Sequence, residues 1–212
     1  MKIAILGASR GLGAELVAYI HKESPESVLL MISRREEKLK ELASMLDWVR
    51  RADFSQRGGQ EDALYILREF LPEQVFYVAG GGPYGKYEDK EWKDHAWALE
   101  VNLLFPARLI HTLLREEIFR TELRKVMVVG SAIAGHKPDP NASSYAAGKQ
   151  GLRGLITSLQ AEKPWLDVRL FEPGYMDTGL LPANAWPRQQ GLVTNPKEEA
   201  RKLWRWSQSP LD

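Results

Sequence analysis

Short apolar runs recur at residues 3–6, 28–32, 48–52, 75–79, 126–129 and 166–171, with amphipathic stretches between them. Runs of this length, bounded by glycine, serine or charged residues, suit buried strands rather than helices. The intervening stretches carry apolar residues at helical spacing. Leu12, Leu16, Tyr19 and Ile20 form one stripe, Leu39, Leu42, Ala43 and Leu46 a second, and Leu64, Leu67, Phe70 and Leu71 a third. Residues 92–119 form a longer fourth helical segment through Leu99, Leu103, Ile110 and Leu114, in which Pro106 predicts a kink or local break. Residues 145–160 form the fifth. Strands alternating with helices of this length predict an α/β fold, a doubly wound parallel sheet of about six strands with helices on both faces. Ligands then bind at the carboxyl ends of the strands.

Composition narrows the partner. The 212 residues suit one domain, 1–212. The 29 basic and 28 acidic side chains nearly cancel, so no global field draws the chain to nucleic acid or an anionic membrane. A small molecule is the expected partner. The absence of cysteine excludes disulfides, thiolate metal sites and a cysteine nucleophile, and the four histidines show no metal-ligand spacing, so no metal site is expected. The apolar run 3–6 is too short for a signal-peptide core, and no stretch reaches transmembrane length, which predicts a cytoplasmic protein.

Candidate chemistry clusters at the predicted strand ends. After the first strand, Gly7-Ala-Ser9-Arg10-Gly11-Leu12-Gly13 leads into a helix, a context in which glycines let the backbone approach a pyrophosphate at the helix amino terminus. The second strand ends in Ser33-Arg34-Arg35, where an NAD site usually holds an acidic residue. Arg34, with Arg10 from the glycine loop, suits a 2′-phosphate and hence NADP(H) rather than NAD(H), whereas Arg35 reads as the start of the next helix's charged face. Asp53 and Phe54 end the third strand, where the Asp53 carboxylate and a backbone amide can meet an adenine edge or the carboxylate can cap a helix. Ala79-Gly80-Gly81 ends the fourth, where the backbone can pass close to a ribose or simply turn. Asn102 sits amid Val101, Leu103 and Leu104, a setting in which an amide needs hydrogen-bond partners. It can hold a water beside Lys149 or cap a kink near Pro106.

Ser131 ends the fifth strand, and Tyr145 and Lys149 are four residues apart on the helix that follows, so they share one face. An ammonium beside a phenol favours the phenolate, which lets the pair exchange a proton near neutral pH. No other of the seven tyrosines has a lysine four residues on.

Together the glycine loop, Asp53, Ala79-Gly80, Asn102, Ser131, Tyr145-x-x-x-Lys149 and Pro173-Gly174 to Thr178 resemble the motifs of the short-chain dehydrogenase/reductase family, in order, over nearly the whole chain. The resemblance implies a Rossmann-like fold and a carbonyl reductase, reversible as an alcohol dehydrogenase. Tyr145 would be the general acid and Lys149 would lower its pKa and bind the nicotinamide ribose. Ser131 would orient the carbonyl and Asn102 would hold a relay water. Pro173, Gly174 and Thr178 would frame the nicotinamide, the Thr178 hydroxyl on its carboxamide.

Two features depart from the family pattern. Tyr77-Val78 replaces two asparagines before Ala79-Gly80, so the bracing those amides supply must come from elsewhere. A helix over 196–207 follows a short connector, and no seventh strand is predicted before Asp212, which leaves a homodimer through the fourth and fifth helical segments as the expected assembly. Residues 176–195 are the expected substrate lid. Within it Trp186 faces substrate or pins the loop, and His136 touches substrate or lies on the surface. In the terminal helix Leu203 and the tryptophans read as a packed side under basic stems. Two other functions fit the same residues, a nucleotide-binding regulatory protein with vestigial catalysis and a sugar-nucleotide epimerase or dehydratase. The complete Asn102, Ser131, Tyr145 and Lys149 set disfavours the first, and the absence of a longer substrate domain disfavours the second.

Overall fold

A computed structural model describes residues 1–132, 135 and 139–210. Six parallel strands, β1 (Lys2–Leu6), β2 (Val28–Ser33), β3 (Trp48–Arg51), β4 (Gln74–Tyr77), β5 (Lys125–Val129) and β6 (Asp167–Phe171), form one sheet in the order β3-β2-β1-β4-β5-β6. This is the doubly wound, Rossmann-like sheet that the apolar runs predict. Its order reverses between β1 and β4, so a crevice opens where Leu6 and Tyr77 pair in register.

Alternation along each strand divides the core in two. Ile3, Ile5, Leu29, Met31, Phe76, Met127 and Val129 face one layer, with α1 (Gly11–Glu23), Leu39 of α2 (Glu36–Leu42), and Ala200, Leu203 and Trp204 of α8 (Pro196–Gln208). Ala4, Leu6, Leu30, Ile32, Val75, Tyr77, Val126 and Val128 face the other, with α3 (Arg57–Phe70), α5 (Phe105–Arg115) and α6 (Ser143–Ala161). The packed, apolar side expected of the terminal helix is therefore real. Its indole Trp206 also lies against Phe171, with ring centroids 5.7 Å apart.

The break expected at Pro106 takes a specific form. The fourth helical segment runs as α4 (Trp92–Leu99), a π turn over Glu100–Leu104, and α5. In an α-helix the amide of Phe105 would serve Val101, but here it reaches Glu100, and Pro106 has no N–H to give. The Val101 carbonyl is thereby released. The buried Tyr77 hydroxyl donates to it at 2.6 Å, so a phenol on β4 supplies the brace whose usual amides this chain lacks. Phe54 and Tyr77 also pack on Phe105, with centroids 5.0 and 5.8 Å away.

Residues 176–195 form an irregular segment with a bridge between Met176 and Thr194 and the short helix α7 (Trp186–Gln189), which the sequence pattern does not predict. Arg188 straps it, donating from Nη2 to the Thr178 carbonyl at 2.7 Å and pairing with Asp177. No helix among the described residues is long and apolar enough to cross a membrane.

Candidate active site

The loop after β1 is shaped by what its glycines allow. Gly7 has φ +103°, and a Cβ there would stand 2.5 Å from the Ala79 nitrogen; one on Gly13 would stand 2.3 Å from the Gly7 oxygen. Side chains at either position would force β1, β4 and α1 apart, so the two glycines set the depth of the crevice. The cleft above them is lined by Gly7, Ser9, Arg10, Gly11, Leu12 and Gly13. It extends past Ser33, Arg34, Asp53, Phe54, Ala79 and Gly80 to Ser131, Tyr145, Lys149, Pro173, Gly174 and Thr178.

Thus six separate strand ends and the first turns of α6 bring nearly every candidate residue to one cleft. Gly81 and Asn102 stand behind its lining. Asn102 is fully buried, and its side-chain amide donates to the Gly81 carbonyl at 2.5 Å and the Ala98 carbonyl at 2.7 Å. It ties the π turn to the loop after β4. A Cβ on Gly80 would lie 3.0 Å from Asn102 Oδ1 and 3.4 Å from Lys149 Nζ, so the three groups meet closely.

Arg10, Arg34 and Arg35 gather at one end of the cleft. Burial first, and then the charges of Arg35 and Arg34, push the Arg10 guanidinium below its ordinary range. Among the described residues none of the three makes a salt bridge. Like charges brought together without a carboxylate leave a site suited to an anion. Arg35 is therefore a cleft residue as well as the residue before α2, a placement hidden in the run Arg-Arg-Glu-Glu-Lys. Arg34 lies over the Trp97 ring, 5.5 Å from its centroid, and Trp97, Met176 and Leu180 also join the lining without having carried a sequence signal. Asp53 closes a local turn rather than capping α3, whose N-cap is Gln56. Its Oδ1 accepts from the amide and hydroxyl of Ser55 at 3.0 and 2.7 Å just before α3, and the residue still faces the cleft.

At the other end, Lys149 Nζ donates to the Val129 carbonyl at 2.6 Å and lies 5.7 Å from the centre of the Tyr145 ring. Burial lowers the lysine to about 7. Burial also raises the Tyr145 phenol, against a smaller downward pull from the neighbouring Ser131 hydroxyl. The sequence reading has Lys149 lowering Tyr145. Desolvation instead governs both groups, because each leaves water and no anion among the described residues compensates the ammonium.

Trp186 lies outside the linings of this cleft and the smaller cavity beside it, and packs edge-on against Tyr175 with centroids 5.6 Å apart. It pins the loop. His136 lies outside the described residues, and among those described no cluster of metal-ligating side chains occurs.

Residues 1–187 match the family model described as short chain dehydrogenase. The chain is 29% identical over 197 residues to a 7beta-hydroxysteroid dehydrogenase of Collinsella aerofaciens, covering 88% of this chain and 73% of that one. It is 30% identical to a sepiapterin reductase of Bos taurus, with 83% and 73% covered. Its fold matches an alcohol dehydrogenase of Thermococcus sibiricus complexed with 5-hydroxy-NADP at a TM-score of 0.78 and 24% identity, over 99% of this chain and 92% of that one. A cleft of this construction on a matched chain of this length means that the protein belongs to the short-chain dehydrogenase family, NAD(P)-dependent oxidoreductases acting on CH–OH and C=O groups.

Proposed function

We propose that the protein is an NADPH-dependent reductase of a small carbonyl compound, reversible as an alcohol dehydrogenase. The observation that carries this reading is the two-ended cleft, with three guanidiniums at one end and Ser131, Tyr145 and Lys149 at the other. NADP(H) fits the residues present. The glycine-built floor admits a pyrophosphate, and Arg10, Arg34 and Arg35 offer planar donors to a 2′-phosphate, which Asp or Glu at the same strand end would repel.

When bound, the nicotinamide supplies the hydride. The chain's own part is geometry and the proton. Ser131 holds the carbonyl oxygen, and the Tyr145 hydroxyl, kept protonated by burial, donates its proton to that oxygen as negative charge develops there. Lys149 sits one helical turn from Tyr145, and because burial disfavours its ammonium, negative charge entering the cleft favours the charged form beside the Tyr145 ring. Pro173, Gly174 and Thr178 close the nicotinamide end, and Asn102 fixes the π turn beside Lys149. Trp92, Leu104 and Leu155 remain exposed along the α4 to α6 layer, which supports a homodimer through these helices.

The test pairs calorimetric titration of NADPH and NADH with NADPH consumption against ketones, aldehydes and quinones. Tight NADPH binding with turnover is the expected result. Binding without turnover on any carbonyl would favour the regulatory reading, and no binding would overturn both.

A further inference from the structure

Beside Tyr145 a second cavity opens, walled by three segments that are far apart in sequence. Tyr84 comes from the loop after β4, Asp139 from the stretch before α6, and Tyr175 from the loop after β6. Ser131 and Tyr145 form its inner end, and Pro83, Ala142 and Leu181 give it an apolar body. Among the described lining residues Asp139 is the only charged one.

Asp139 is 3% exposed, and a carboxylate so buried requires donors. Its Oδ1 accepts from the Asn141 amide at 2.8 Å. Its Oδ2 faces two phenols, the Tyr175 hydroxyl at 3.2 Å and the Tyr84 hydroxyl at 3.4 Å. A phenol held firmly by a carboxylate sits at about 2.5–2.7 Å. Both contacts are therefore long, and among the described residues one of the roughly four acceptor sites a carboxylate offers is filled well and two are filled weakly. Both phenols stay protonated, since burial first and then the Asp139 charge raise them. The carboxylate thus retains acceptor capacity next to the reacting end of the cavity.

Resting on the reductase reading of Ser131 and Tyr145, we infer that Asp139, between Tyr84 and Tyr175, is the specificity-determining acceptor of the substrate site. It selects carbonyl compounds whose apolar body carries a hydroxyl or amino donor away from the carbonyl, and disfavours those carrying an acid. The incoming donor makes the short bond to Oδ2 that neither phenol makes, and the phenols remain able to donate to a substrate hydroxyl. An acid would bring a second negative charge against a buried one.

Asp139 also closes the turn to Asn141, so the informative readout is a ratio among substrates within one protein. Four ring ketones supply it: cyclohexanone and its 4-hydroxy, 4-amino and 4-carboxy derivatives. NADPH consumption gives kcat and KM, and ligand-detected NMR on the NADPH-loaded protein gives affinities. The hydroxy and amino compounds are expected to exceed cyclohexanone about tenfold in kcat/KM, through KM, with the acid below it. Asp139→Asn should reduce that preference to within about twofold, whereas Tyr175→Phe, which keeps the carboxylate and removes a competing donor, should preserve or widen it. Equal affinities for all four compounds in the unmodified protein, or a uniform shift of all four in Asp139→Asn, would overturn the assignment. If none of the four is reduced, the reductase reading is decided separately by the wider panel of ketones, aldehydes and quinones. The NMR ranking still decides for Asp139: a donor preference lost in Asp139→Asn sustains it, and a flat ranking ends it.

Discussion

The Tyr77 hydroxyl and the Val101 carbonyl lie 2.6 Å apart in the buried seam between β4 and the π turn. Each explains the other. The π turn and Pro106 strip Val101 of its helical donors, and the phenol on the central strand replaces them. Tyr77→Phe should leave that carbonyl unpaired at little change in volume, and cost about 1–3 kcal/mol in chemical denaturation. Because Asn102 follows Val101 directly, turnover should fall with stability, and unaltered stability would show that the bond is dispensable.

Tyr145→Phe removes the proton donor and little else. Turnover is expected to drop roughly 10²- to 10⁴-fold while NADPH affinity stays within about threefold. Steady-state kinetics beside a calorimetric titration measures both, and retained turnover would remove Tyr145 from the chemistry.

Arg34→Asp reverses one charge at the arginine end of the cleft. NADPH affinity should fall on the order of thirtyfold or more, with NADH changed much less, since only NADPH carries a 2′-phosphate. Equal losses for both nucleotides would place the phosphate elsewhere.

Lys149→Met tests the buried amine through pH. A lysine near 7 in the folded protein and 10.5 unfolded binds fewer protons when folded, so its burial penalty is fully present below about pH 7 and disappears as pH rises toward 10.5. Free of cofactor, the methionine variant should be more stable than the parent near pH 6, with the gap closing as the solution becomes alkaline. Thermal melts across pH read this directly. The same variant should be inactive at every pH.

Much of this architecture is legible in the sequence because a parallel sheet covered on both faces is written as bare apolar runs, and because its ligand groups must follow those runs. Gly7, Ser33, Asp53, Ala79, Ser131 and Pro173 each come at or just after the end of such a run, and all reach one cleft. Arg35 was hidden because the charged run into α2 looks like any solvated helix face. Tyr77 could be recognised as a departure but not as a brace, since its partner is a carbonyl freed only by an irregular turn. Asp139, Tyr84 and Tyr175 meet only in three dimensions, and no spacing connects them. The lowered Lys149 was illegible for a similar reason, because burial depends on what the rest of the fold places around an amine.

The π turn has a further consequence, one of phase. One residue added to a helical turn rotates everything beyond it by about 100° relative to an uninterrupted α-helix. Upstream of the turn, Trp97 looks into the cleft and Ala98 holds Asn102. Downstream, Leu109 and Leu113 enter the core while Arg108 reaches across to Gln60 on α3 at 3.0 Å. A single continuous stripe would serve one neighbour along its length, whereas the slipped helix addresses the cofactor cleft with one half and the opposite wall of the core with the other. Deleting one residue between Glu100 and Leu104 would bring the two halves back into phase and turn one of them away from its task.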